Sequence, residues 1–172
     1  MDDLWAGGRD NATGQLFPIA SKFPSGIPAL AAFVHSKGLR FGIYTDVGHL
    51  TCGKCPGTWG YEQIDAKTFA AWQVDFVKSD SCFTTSTDSP PGPQPADGAS
   101  CYERYKLFDA ALKASGRPMV HSIKGPCGSK KGTMNGACSP ADASAISNLR
   151  RCAGDAKDNW GSMMKVLEEA AA

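Results

Sequence analysis

The chain has 172 residues, 42% apolar and 20% charged, the balance of a single globular domain large enough to bury a real core. A formal net charge of +1, with no run of Lys or Arg, offers no groove for nucleic acid, and no apolar stretch approaches the length that crosses a bilayer. Seven Cys favour an oxidising compartment, and the odd number leaves at least one without a partner inside the chain.

The first residues, Met1-Asp2-Asp3, are acidic where a signal peptide is basic, so any targeting segment is expected outside this chain. Asn11-Ala12-Thr13 is a glycosylation acceptor triplet, which fits a secretory route. Ser25 is placed to cap a helix whose apolar face is Ile27, Leu30, Ala31 and Val34, and Gly38 ends it. Leu39 to Tyr44 reads as a strand running into the polar residues Thr45, Asp46, Val47 and Gly48. Residues 48–60 hold four Gly, one Pro and two Cys, the composition of a loop. Asp65 to Trp72 is expected as a helix, with Ala66, Phe69 and Ala70 on one face. Val74 to Lys78 is the next strand, ending at Ser79-Asp80-Ser81-Cys82. Residues 84–100, rich in Pro, Ser, Thr and Gly, read as a loop insertion. Tyr105, Phe108 and Leu112 mark a helix closed by Gly116, and Pro118 to Ser122 a strand with Pro at its first position. A second loop insertion, 125–139, precedes a weak strand at 148–152. The last helix carries Trp160, Met163, Met164 and Leu167 on one face.

Strand, loop and helix repeated about four times predict βαβ units and a parallel sheet. Asp46, Asp80, Lys124 and Asp155 each follow a strand, and side chains at successive strand ends are where (β/α)8 barrels and doubly wound sheets both build their sites. Periodicity alone does not separate those two folds.

The residues carry more than a pattern. The chain resembles glycoside hydrolase family 27, the α-galactosidases and α-N-acetylgalactosaminidases, over nearly its whole length apart from the two insertions. Asp2-Asp3-Leu4-Trp5 is similar to that family's Asp-Asp-Cys-Trp strand end. Its most recognisable block resembles Phe41 to Gly48, with Thr51-Cys52-Gly53 and Pro56 to Glu62 after it and Ile64 to Ala70 continuing it. Val77-Lys78-Ser79-Asp80-Ser81-Cys82 resembles the nucleophile motif, Arg151-Cys152-Ala153-Gly154-Asp155 the acid/base motif, and Asp158-Asn159-Trp160 its continuation.

The resemblance implies a (β/α)8 barrel followed by a small β-sandwich. Residues 1–172 would be a partial catalytic barrel: about strands 3 to 6 with their helices, without the first two strands, the last two or the sandwich. It implies a retaining hydrolysis of terminal α-galactosyl groups, with Asp80 as nucleophile and Asp155 as general acid/base. Lys78, two residues before Asp80, is expected to hold it ionised, and drier surroundings together with the Asp80 charge to raise Asp155. Asp2, Asp3, Tyr44, Lys78 and Arg151 map to substrate-binding positions, although Asp2 and Asp3 have nothing before Met1 to hold them in place. Lys124 falls among them as a departure, since around Ser122-Ile123-Lys124-Gly125 the family has Cys then Glu or Asn, which helps to recognise the 2-position of the sugar. That departure opens two alternatives: an α-N-acetylgalactosaminidase, and an inactive sugar-binding fragment.

Leu4 likewise replaces a Cys. A Cys52–Cys82 disulfide is implied, and Cys127 and Cys138 flank the second insertion as a candidate pair. Cys55, Cys101 and Cys152 are unassigned. Cys52-x-x-Cys55 also admits a redox or zinc reading, with no second pair to support it. His35, His49 and His121 have no motif around them, and structural roles are expected. No metal or cofactor is implied. The partner is an α-galactoside, with no nucleic acid or membrane, and a homodimer is open to the full-length protein. The setting implied is secreted, lysosomal or vacuolar.

Overall fold

The computed structural model describes residues 1–84, 101–124, 140–151 and 155–171. Most of both insertions, with Cys127 and Cys138, and the acid/base motif residues 152–154 lie outside the described residues.

The chain opens with an antiparallel hairpin, β1 (Ala6–Arg9) and β2 (Leu16–Pro18), that the sequence reading did not foresee. Helix α1 (Gly26–Ser36) follows, with Ile27 and Ala31 fully buried and Leu30 and Val34 packed beside them, the stripe expected from the spacing. Ser25 occupies the N-cap position but makes no side-chain cap hydrogen bond. The other end is firmly closed. Gly38 takes φ +72°, its N–H reaches the His35 carbonyl, and the Leu39 N–H reaches that of Val34. This Schellman arrangement needs a left-handed residue, hence glycine.

Four strands then form one parallel sheet in chain order: β3 (Gly42–Asp46), β4 (Phe76–Asp80), β5 (Val120–Ile123) and β6 (Leu149–Arg150). Helices α2 (Glu62–Ala71), α3 (Cys101–Ala114) and α4 (Pro140–Ile146) connect them, and α5 (Trp160–Ala171) follows β6. Strands β3, β4 and β5 lie one to three residues further along the chain than the apolar runs suggest. The reason is backbone pairing: Asp46 and Asp80 are register partners at the last rung of β3 and β4, so both acids belong to strands rather than loops.

Side chains alternate across the sheet. Ile43, Val77 and Ile123 point into the core, where Ile27, Ala31, Phe69, Phe108 and Ala143 of the helices meet them. The other face carries the row Tyr44, Lys78, Ser122 and Leu149, and it is open: Lys78 and Ser122 are partly exposed and Leu149 is exposed. Asp46 and Asp80 lie on this open side, two residues further along their strands.

Candidate active site

At the C-terminal ends of β4, β5 and β6 a groove of about 300 Å³ is lined by Lys78, Asp80, Ser122, Lys124, Leu149 and Arg151, among others. Asp80 is its acid. Its Oδ1 lies 2.9 Å from the Lys124 ammonium and accepts the Ser81 N–H at 2.8 Å, while Oδ2 accepts the Tyr44 hydroxyl at 3.2 Å. Burial works against a charge on Asp80. The Lys124 ammonium outweighs it, helped by the Ser81 N–H and the Tyr44 hydroxyl, and holds the carboxyl below its usual range. Tyr44 is pushed the other way by burial and by the charges of Asp80 and Asp46, so its hydroxyl keeps its proton and donates.

The cation that holds Asp80 is therefore Lys124 and not Lys78, a correction to the sequence reading. Lys78 shares the open face with Asp80, but its long side chain lies 4.9 Å above the Tyr44 ring and ends 3.1 Å from Asp2. Alternation along a strand fixes a face; it does not choose a partner for a flexible four-carbon stem. Asp2 in turn sits below its usual range, because the Asp3 N–H and Lys78 outweigh its partial burial.

The first residues are held in place rather than frayed. The Met1 amino group donates to the Gly42 carbonyl, Asp3 Oδ2 accepts the Gly53 N–H at 2.7 Å, and the buried Trp5 indole donates to the Tyr44 carbonyl at 2.8 Å. Asp2, Asp3, Tyr44, Lys78 and Asp80 thus form one connected cluster.

Asp155 stands differently. It pairs with Arg151, which lines the groove, but its side chain is 85% exposed, against the expectation of dry surroundings. The reason is geometric: no described residue covers it.

Asp46, which the sequence reading placed at a strand end without giving it a role, ends β3 as Asp80 ends β4. It is fully buried, and its oxygens accept the Gly48 and Cys82 N–H groups at 2.7 and 2.8 Å. Burial nevertheless dominates and raises it to about 8.

Cys52 and Cys82 are disulfide-bonded, joining the loop after β3 to the loop after β4 as the resemblance implies. That bond overturns the redox or zinc reading of Cys52-x-x-Cys55, since Cys55 is left as a single thiol. One oxygen or sulfur each from Asp46, Cys52, Asp80 and Cys82 all lie within 4.8 Å of one another, a metal-like cluster by distance. The donor set does not fit a resident metal: the sulfurs are bonded to each other, Lys124 sits on Asp80, and Asp46 accepts two N–H groups.

The histidines are engaged elsewhere. His35 pairs with Asp75 at 2.6 Å, His49 stacks on Trp59, and buried His121 contacts Ser79 and Asp109. A larger cavity of about 950 Å³ lies at the opposite ends of the strands, lined by Arg40, Asp75, Asp109 and Arg117 among others. Its Asp75 is already bound by His35, Arg40, Arg117 and the Phe41 N–H, a structural knot.

A parallel sheet whose four strands follow one another in chain order, with a charged cluster at their C-terminal ends, is the arrangement of consecutive units of a (β/α) barrel. The comparisons with known proteins agree. The family model described as alpha galactosidase A matches residues 1–172. An α-galactosidase of Cyamopsis tetragonoloba is 41% identical over 167 residues, 96% of this chain and 36% of that protein. The human α-N-acetylgalactosaminidase is 40% identical over 168 residues, 97% of this chain and 37% of that protein. Among solved structures, Saccharomyces cerevisiae α-galactosidase superposes with a TM-score of 0.75 at 30% identity, covering 92% of this chain and 32% of that one. α-Galactosidase I of Mortierella vinacea gives 0.74 at 35% identity, covering 92% and 36%. The chain belongs to the α-galactosidase family, glycoside hydrolase family 27, and its four parallel strands are part of that family's (β/α)8 barrel. It spans little more than a third of the length of the curated relatives it matches.

Proposed function

We propose that the protein containing this chain is a retaining α-galactosidase that removes terminal α-galactosyl groups from oligosaccharides or glycoconjugates. The observation that carries this reading is Asp80, held charged at the end of β4 in a groove that Arg151 also lines, with Asp155 bound to that arginine. Asp80 attacks the anomeric carbon and forms a glycosyl ester while Asp155 protonates the departing oxygen. Asp155 then takes a proton from the water that cleaves the ester. Asp2, Asp3, Tyr44, Lys78, Lys124 and Arg151 are the proposed sugar contacts. The carboxylates among them accept hydroxyl hydrogen bonds and the cations donate them. A relative solved with raffinose fits an α-galactoside as the substrate class. The Cys52–Cys82 disulfide fits a secreted, lysosomal or vacuolar setting.

A second reading, an α-N-acetylgalactosaminidase, is favoured by the near-equal identity to enzymes of both names. Hydrolysis of aryl α-galactoside and aryl α-N-acetylgalactosaminide by the full-length protein separates the two. Product anomers followed by NMR report retention. Asp80→Asn should lower turnover by several orders of magnitude. Activity within a few-fold of the parent would remove Asp80 as nucleophile.

A further inference from the structure

Lys124 stands just past the end of β5. Its backbone N–H donates to the Ser79 carbonyl at 3.0 Å, so the ladder between β4 and β5 continues to the lysine itself. The Tyr105 hydroxyl reaches the carbonyls of both Ser79 and Lys124 at 3.4 Å. The lysine's base is thus fixed against Asp80's own strand. Its side chain is 33% exposed at the groove, and its Nζ lies 2.9 Å from Asp80 Oδ1. Lys78, the cation on Asp80's strand, is turned to Asp2.

We propose that Lys124 is a positioning residue for the glycosidase reaction: its ammonium holds the Asp80 carboxylate charged and aimed, and stabilises that carboxylate again when the glycosyl ester breaks. The inference rests on the glycosidase reading. In the first step a bond forms between an Asp80 oxygen and the anomeric carbon. The bond from that carbon to the aglycone oxygen breaks, and the Asp155 proton moves to that oxygen. Asp80 loses its charge, so the contact with Lys124 weakens. In the second step a water oxygen bonds to the anomeric carbon and its proton goes to Asp155. The ester bond breaks, and the electron pair returns to Asp80 beside the waiting ammonium. A fixed cation where charge develops lowers that second barrier, and by stabilising the free carboxylate it raises the first. The ammonium keeps its proton throughout.

The other groups facing Asp80 are the Tyr44 hydroxyl and the Asp46 carboxyl from β3, the latter raised to about 8 and so neutral through the acid range. Lys78 is on the same strand and held by Asp2. Arg151 lines the same groove after β6 and is bonded to Asp155. Among the described residues Lys124 is therefore the cation bonded to Asp80, and it sets the acid limb.

The test is Lys124→Met against Lys124→Arg in the full-length protein. In Lys124→Met the acid limb of kcat/KM, which reports the free enzyme, should move to higher pH. A good leaving group should now give a burst of released aglycone, because ester breakdown has become slow. Lys124→Arg should restore the parent limb. Carbon-detected NMR titration of the Asp80 carboxyl reads the same hold without turnover, and its midpoint should rise in Lys124→Met. A uniform loss of activity at all pH values, with limb and carboxyl midpoint unmoved, overturns the inference. A raised midpoint in a protein whose parent hydrolyses neither aryl sugar supports the hold on Asp80 and sinks the glycosidase reading instead.

Discussion

Asp46 and Asp80 are neighbours on one rung of the sheet, yet at neutral pH one keeps its proton and the other does not. The difference is a cation. Asp80 has the Lys124 ammonium; Asp46 has two N–H groups, which do not offset its complete burial. The sign of the consequence follows from linkage. With its native value near 8, above the ordinary 3.8, Asp46 holds a proton in the fold that the unfolded chain has released. Its contribution to stability is whole below about pH 4 and is lost as pH rises towards 8. Asp46→Asn removes that slope. An amide accepts only one of the two N–H groups, so the variant should be less stable at acid pH by about 1–3 kcal/mol. Urea unfolding of parent and variant at several pH values checks this: the gap should narrow steadily from pH 5 to pH 9. A gap independent of pH would mean that Asp46 is charged throughout.

Among the elements, the β1–β2 hairpin is tied to α2 by an ion pair whose acid is fully buried. Arg9 forms two bonds to Asp65 of α2, at 2.7 and 2.6 Å, and reaches the carbonyls of Gly14 and Gly57 while its guanidinium stacks 4.0 Å above the Tyr61 ring. Even so, burial outweighs Arg9 and raises Asp65 to about 6. Removing the arginine leaves a charge with no solvent and no partner. Arg9→Met should therefore destabilise the fold by about 3–5 kcal/mol at pH 8, where Asp65 is ionised. The loss should be smaller at pH 5, where a proton neutralises it. Thermal unfolding at the two pH values measures both; equal losses would assign the effect to packing alone. The sequence offered no sign of this pair, because 56 positions separate its members and Arg9 belongs to no recognisable motif. The α1 stripe was legible because helix period and burial coincide within a few turns. The strand bounds were less so, because backbone pairing carries Asp46 and Asp80 into β3 and β4 despite their polarity.

At the scale of the molecule, the alternation of elements was enough to read a parallel sheet, and the ordered motifs around Asp80 were enough to read the family. The partner of Asp80 was not, since choosing Lys124 over Lys78 needs the sheet order and the path of each side chain. The same sheet order has a colloidal consequence. Among the described residues β3 and β6 each pair with a strand on one side only; on the other side of β3, Met1, Trp5 and Thr58 donate to the Gly42, Tyr44 and Asp46 carbonyls in place of a strand. Trp160, Met163 and Leu167 form one stripe along α5, exposed at 74%, 49% and 61%. Fully burying a Leu or Met side chain is worth about 1.5–3 kcal/mol, so a cover over this stripe and these edges is strongly favoured. In a complete barrel other strands and helices are the natural cover; for the 172-residue chain alone, a second copy is. The isolated chain should then sediment as dimers and larger species at tens of micromolar and bind a hydrophobic dye. A version extended on both sides to close the barrel should sediment as a smaller, defined species and bind little dye. A chain that stays monomeric and dye-silent on its own would show that the exposed stripe and the strand-free sheet edges are tolerated in water, and that barrel closure is not what stabilises this sheet.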